Sequence, residues 1–297
     1  MFNLRYKADI KTLCYMGVTT LLFLLQWLYI GFNPFSYIIY LFLSVSVAVI
    51  VHNHNHLPIW KSKFLNNITD SWLTVFYGFP VFAWIPTHNK NHHKLNNRAG
   101  DYTITYRFSE KNNLVTLLTY PAVSGIYQQK AIRDYLKEKF QSDRKYFYLC
   151  IWQYVILVLW IAAAFVLDWE KALLYVIIPQ QVSLFSVLIF NYVQHVHANE
   201  ESEYNHSRNF TGGLNFMLFN NGYHTVHHDK AGLHWSIVPE EHKKIEHTID
   251  KSLLERSFWG YIFRSYFLGL FSKKFKTDSM RLKRIENERL KTETVNL

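Results

Sequence analysis

Between Thr12 and Trp60 the chain carries no Asp, Glu, Lys or Arg. A charge-free run of that length belongs in a large core or in lipid, and in lipid every backbone polar group has to be bonded within its own segment. Gly31, Asn33 and Pro34 divide the run into two stretches, about 13–30 and 35–51. Each is close to the roughly 20 residues that a hydrocarbon core of about 30 Å requires. A second pair, about 146–167 and 172–192, is joined by Asp168-Trp169-Glu170-Lys171. Pro179 is expected to kink the last of the four. The pattern predicts an all-α, multi-pass integral membrane protein with four transmembrane helices in two hairpins. The first stretch is read as a retained span and not a cleaved leader, because no small-residue cleavage site precedes the second.

Between the pairs, residues 52–145 hold 13 Lys and Arg, whereas the two short links hold only Lys171. The positive-inside rule therefore puts both termini and the segments beyond the spans in the cytoplasm. The expectation is a helical cytoplasmic cap, 52–145 and 193–272, followed by a charged, solvated tail at 273–297, the whole of 1–297 forming one domain. Two uncharged stretches inside the cap, 71–89 and 112–129, are interrupted by Gly78, Pro80 and Pro86 and by Pro121 and Gly125. They read as interfacial or re-entrant. The net charge of +10 favours an anionic membrane surface. No nucleic-acid motif accompanies it, and that class of partner is excluded. Cys14 and Cys150 lie in apolar runs, which argues for small buried hydrophobes over thiol redox or metal chemistry.

The 15 histidines are gathered in clusters. His52 and His56 stand one helical turn apart where the second span ends, with His54 on the opposite face. His88 and His92 repeat that spacing, and His93 lies about 100° further round the helix. Asn191 and His195 form another i, i+4 pair at the end of the fourth stretch, and His224, His227 and His228 share one helical side. Protonated imidazoles so placed would repel one another. Neutral imidazole is the commonest metal ligand, and nine of them exceed the three or four donors of one zinc site. Two metal ions are implied, and donor softness alone leaves iron, copper, zinc and nickel open. His54, His206, His242 and His247 are read as hydrogen-bonded structural residues.

The ordered boxes His-x3-His, His-x3-His-His and His-x2-His-His, with Asn-x3-His after the fourth stretch, resemble the membrane fatty acid desaturase superfamily over roughly residues 12–260. The resemblance implies a non-haem di-iron centre with His52, His56, His88, His92, His93, His195, His224, His227 and His228 as ligands. It also implies Asn191 holding a metal-bound water. Two features depart from the acyl desaturases: three residues separate His88 from His92 where many have two, and Asp229-Lys230-Ala231-Gly232-Leu233-His234-Trp235-Ser236 lacks a Phe-Pro pair. The stretch Asn205-His206-Ser207-Arg208-Asn209 is assigned to no branch of the superfamily.

The implied activity is O2-dependent oxidation of an unactivated C–H bond, first of all desaturation of a fatty acyl chain, with lipid or carotenoid hydroxylation or ketolation as the alternative. Two irons are the expected cofactors and O2 the co-substrate. No nucleotide fingerprint, haem-binding or ferredoxin-like domain is evident, so electrons are expected from a separate donor of ferredoxin, rubredoxin or cytochrome b5 type. Metal-bound imidazoles need acceptors for their second N–H, and Asp101, Asp229 and Glu200 are the candidates. Asp101 is preferred because it follows the second box through a glycine-containing bend. A metal transporter is the rival of another class, but transport sites lie near the bilayer midplane, whereas these histidines collect at the ends of the stretches. A bis-histidine haem site using His52 and His195 would leave seven clustered histidines unexplained.

Overall fold

A computed structural model describes residues 3–295, and they are almost wholly helical. In chain order the helices are α1 (Asp9–Leu25), α2 (Pro34–His56), α3 (Lys63–Tyr77), α4 (His93–Leu95), α5 (Leu114–Ser142), α6 (Arg144–Leu167), α7 (Trp169–Ala172) and α8 (Ile178–His195). The short α9 (Gly213–Met217), α10 (His224–Asp229), α11 (Val238–Ile245), α12 (Phe258–Ile262) and α13 (Gly269–Phe271) follow, and α14 (Met280–Val295) comes last. The only sheet among the described residues is a parallel pair of two-residue strands, β1 (Asn209–Phe210) and β2 (Leu254–Glu255). Four helical runs are long and apolar enough to cross a membrane: Asp9–Ile30, Pro34–His56, Arg144–Leu167 and Trp169–His195. The second and fourth outrun the stretches expected from hydropathy, and His52 and His56 ride on the final turns of the second, Asn191 and His195 on those of the fourth.

Local chemistry sets the helix ends. The Asn33 carboxamide accepts from Ser36 N–H and Pro34 takes the first helical position of α2, where a missing N–H costs nothing. Asp143 caps α6 through Tyr146 N–H, and Asp168 caps α7 through Lys171 N–H. Pro179 is met by a π-helical turn over Leu173–Ile177 immediately ahead of it. That turn widens the helix and frees carbonyls, and two tyrosines answer them: Tyr37 Oη donates to Leu174 O at 2.9 Å and Tyr40 Oη to Tyr175 O at 3.0 Å.

The chain divides into two compact units. The first comprises the segment up to Lys90 together with Gln128–Val187. Its core joins Phe23, Tyr40, Ala164, Ala172, Tyr175 and Val176, one or more from each of the four spanning runs. Buried polar links add direction where apolar packing has none. Gln180 donates to Val75 O at 2.8 Å, and Ser183 to Ser44 O at 2.8 Å. Gly78 ends α3 with φ of 86°, and a Cβ there would lie 2.5 Å from Gln180 Cβ, so conformation and space both demand glycine.

The second unit comprises Asn91–Tyr127 and the chain from Leu188 onward. Its core gathers Leu117, Tyr120, Tyr192, Phe210, Tyr261 and Tyr266. Pro121 and Gly125, which interrupt the uncharged stretch 112–129 in sequence, lie inside α5, which runs unbroken for 29 residues. Tertiary packing outweighs the lost hydrogen bond, with Leu117 and Tyr120 buried before the proline and Ile132 and Tyr135 after it. In the charged tail, α14 has no buried residue, and its first turns make specific contacts. Met280 N–H donates to His197 O at 3.0 Å, the Arg281 guanidinium lies 3.8 Å over the Tyr106 ring and bridges to Glu110 and Glu200, and Arg284 reaches Glu200 at 2.8 Å. The first turns of α14 are docked, and only the remainder is solvated.

Candidate metal centre

In the second unit, the last turn of α8, the π-helical turn leading into α4, and α10 bring four imidazoles together. His195 Nε2 lies 3.1 Å from His92 Nε2 and 2.9 Å from His224 Nε2, and His224 Nε2 lies 3.2 Å from His228 Nε2. The ligand nitrogens of all four fall within 4.8 Å of one another. His92 and His195 are fully buried. An imidazole Nε2 carries either one hydrogen or one lone pair, and His92 and His195, whose Nδ1 atoms face the acceptors Asp101 Oδ2 and His206 O, both present lone pairs, so their 3.1 Å contact is not a hydrogen bond. A cation accepting four lone pairs would satisfy them all, and the donor set fits one. Burial first, and then the neighbouring imidazoles, hold the pKa of His228 well below the ordinary histidine range, which keeps the ring neutral.

The far nitrogens of two of these rings are fixed. His92 Nδ1 lies 2.8 Å from Asp101 Oδ2, and His195 Nδ1 lies 3.3 Å from the carbonyl of His206. Each contact places the proton on Nδ1 and turns the Nε2 lone pair into the cluster. Asp101 is itself fully engaged: Oδ2 also accepts from Asn97 N–H, while Oδ1 accepts from Thr103 N–H and from its hydroxyl at 2.7 Å. Burial alone would raise the Asp101 carboxyl; the contact with His92 and the bonds from Thr103 outweigh it and hold the group ionised, well below the usual carboxylate range. Behind it, Asn191 Nδ2 donates to Tyr120 Oη at 2.6 Å and Tyr120 Oη donates to Thr103 O at 2.7 Å. A continuous chain of contacts thus runs from Asn191 to His92.

His93 and His227, also in the second unit, face each other with Nε2 atoms 3.0 Å apart. In the first unit, His52 Nε2 lies 3.0 Å from His88 Nε2, with the His56 ring centroid 4.9 Å from that of His52 and 5.1 Å from that of His88. The i, i+4 spacing on α2 and the π-helical turn Ile85–His92 account for the convergence. The second nitrogen of His52 meets the neighbouring Asn53 carboxamide at 3.2 Å.

The other candidates fall elsewhere. Glu200 faces Arg281 and Arg284, and Asp229 lies 3.4 Å from His206. His54 accepts from Ile59 N–H and lies 3.3 Å from Asp70. His242 is buried against the Tyr223 ring at 4.5 Å, and His247 is exposed. A cavity of about 110 Å³ in the second unit, lined by Phe190, Phe210, Leu214, Phe258 and Trp259 among others, contains none of the nine histidines.

The stretch Asn205–Asn209, unassigned from sequence, buttresses two of the boxes. His206 supplies the carbonyl behind His195. Arg208, fully buried, donates through Nη1 to Val193 O at 2.6 Å and Val196 O at 3.2 Å, capping the end of α8 that carries His195. Asn209 grips Thr225 from both sides, accepting its N–H at 3.0 Å and donating to Oγ1 at 2.8 Å, which sets the pitch of α10. Just before that helix, a Cβ on Gly222 would fall 2.3 Å from Phe210 O, so glycine alone lets β1 pass under the turn. An Arg in a short polar run after a span is the sequence signal here, but a basic residue there also fits a solvated loop.

The family model described as Fatty acid desaturase matches residues 13–273. No curated protein and no solved structure matches the chain.

Proposed function

The chain belongs to the fatty acid desaturase family, and from that premise we propose that it is an O2-dependent desaturase of fatty acyl chains whose nine clustered histidines hold two irons. Family membership supports oxidation of the desaturase or hydroxylase type. The observation that carries the metal reading is the convergence of His92, His195, His224 and His228, in which the Nε2 atoms of His92 and His195, their protons held on Nδ1, face each other as lone pairs 3.1 Å apart. His52, His56, His88, His93 and His227 are the remaining donors, and Asn191 is assigned to a metal-bound water.

When bound and reduced, a di-iron pair supplies with O2 an oxidant able to take hydrogen from an unactivated methylene. The protein's own part is alignment and electronics. Asp101 keeps the Nδ1 proton of His92 in place, and the carbonyl of His206 does the same for His195, so both ligands are held in the donating tautomer throughout turnover. Tyr120, donating to Thr103 O, ties the Asp101 loop to α5 and, through Asn191, to α8. Loss of two hydrogens from adjacent carbons gives a double bond, and gain of one oxygen atom gives an alcohol. Which follows depends on how the chain holds the acyl carbons. We assign electrons to a separate donor protein, the histidine clusters and both termini to the cytoplasmic side, and the whole chain to one catalytic domain.

The test is mass spectrometry of the lipids and fatty acids of a host expressing the protein, beside the same host expressing His227→Ala. A product two hydrogens lighter that disappears in the variant is expected. A product heavier by one oxygen would replace desaturation by hydroxylation, and identical lipid profiles in a host supplied with ferredoxin and cytochrome b5 donors would contradict acyl oxidation.

A further inference from the structure

Residues 258–271 form one helical run, α12, a π-helical turn over Phe263–Leu268, and α13. One side of the run is packed into the core of the second unit through Phe258, Tyr261 and Tyr266, with Ser265 and Gly269 also buried. The other side is apolar too. Trp259 is 68% exposed, Phe263 and Phe267 56% each, Leu270 60% and Phe271 84%. Phe263 and Phe267 stack on each other at 5.9 Å. The spacing 259, 263, 267, 270 makes one stripe along the helix, and soluble surfaces seldom leave a contiguous aromatic stripe of this kind in water.

Two observations identify what covers it. Immediately after the stripe the chain reads Ser272-Lys273-Lys274-Phe275-Lys276. None of these three ammonium groups has a carboxylate within ion-pair distance among the described residues. An apolar stripe ended by unpaired lysines is the pattern of a helix lying in a lipid interface, its rings among the acyl chains and its ammonium groups at anionic headgroups. The second is position: Phe258 packs at 5.1 Å against Phe190, on the last turns of the span-forming run Trp169–His195. The stripe is thereby fixed beside the end of a membrane-spanning helix, where the hydrocarbon gives way to headgroups.

We propose that the run Phe258–Phe271 is an interfacial membrane anchor, its aromatic stripe embedded in the leaflet and Lys273, Lys274 and Lys276 bound to anionic lipid headgroups. Nothing in the inference depends on the metal centre. It requires only that the four apolar helices cross a membrane.

The full chain, with Cys14→Ser, Cys150→Ser and Phe267→Cys labelled with bimane, is reconstituted into phosphatidylcholine vesicles with and without phosphatidylglycerol. A second label at Phe271→Cys guards against a local defect at 267, and one at Lys251→Cys, an exposed position outside the stripe, provides the aqueous reference. The expected result is strong quenching of the 267 and 271 labels by lipids brominated near the headgroup, at least about threefold weaker quenching by iodide than at 251, and deeper insertion with phosphatidylglycerol. Charge reversal at all three lysines (K273E, K274E and K276E) should abolish that phosphatidylglycerol effect and leave insertion in phosphatidylcholine alone unchanged. Free access of iodide to 267 and 271 in both vesicle types would overturn the proposal. So would shielding from both quenchers, which would mean that protein and not lipid covers the stripe.

Discussion

The two histidine-bearing regions are built to different standards. In the second unit His92, His195 and His224 are buried and two of them are held from behind, His92 by a carboxylate with three other bonds of its own, and His195 by a backbone carbonyl. In the first unit, His56 and His88 are half-buried, and the second nitrogen of His52 meets the carboxamide of the next residue, Asn53. A charged, pre-positioned acceptor fixes tautomer and ring angle, whereas a neighbouring side chain on the same helix can rotate with its partner. The difference assigns rigidity to the quartet of the second unit and tolerance to the triplet of the first.

The largest expected effect comes from the quartet itself. His195→Ala should abolish product formation and lower the iron content of the purified protein, measured by lipid mass spectrometry and elemental analysis. Next, Asp101→Asn keeps the shape but removes the charge behind His92, and should cost about 10- to 100-fold in activity or iron affinity. Asn53→Ala behind His52 should cost less than about threefold, well below the outer-partner range; equal losses in the two variants would erase the comparison. Gly78→Ala acts on stability and not on the metal site: the added methyl meets Gln180 in a left-handed position. It should destabilise the first unit by roughly 1–3 kcal/mol, read as a fall in the thermal midpoint with the metal site's composition intact.

The last is a pH effect on the metal-free protein. The folded pKa of His228 is depressed, so the unfolded chain binds a proton that the folded chain refuses once pH falls below the unfolded value of about 6.5. Stability contributed by the neutral form is therefore present above that pH and is lost as pH drops towards 5. The slope should approach about 1.4 kcal/mol per pH unit for this single group. His228→Gln should flatten that part of the curve of thermal midpoint against pH, and an unchanged slope would show that His228 is not the buried base described.

Much of this was legible in the amino-acid order, because membrane burial and helical periodicity act locally. A charge-free run can only be a span or a core, and His at i, i+4 share a face whatever surrounds them. Legibility stops where through-space choices begin. Asp101, Asp229 and Glu200 are indistinguishable by sequence as acceptors for a ligand ring; folding takes Glu200 to two arginines of α14 and Asp229 to His206, leaving Asp101 on His92. Pro121 reads as a break, yet the core on either side carries α5 straight through it. Arg208 reads as a loop cation and is a buried helix cap. The aromatic stripe of 258–271 escapes hydropathy because Gly260, Arg264, Ser265 and Gly269 interrupt it in sequence but not along one side of the helix.

The central claim, two irons on nine imidazoles, is tested most directly by the metal content of the purified full-length protein, wild type beside a His92→Ala, His195→Ala double variant. Two irons per chain in the wild type and fewer than one in the variant are expected. Zinc or copper in place of iron, or an iron content that survives loss of both histidines, would contradict it.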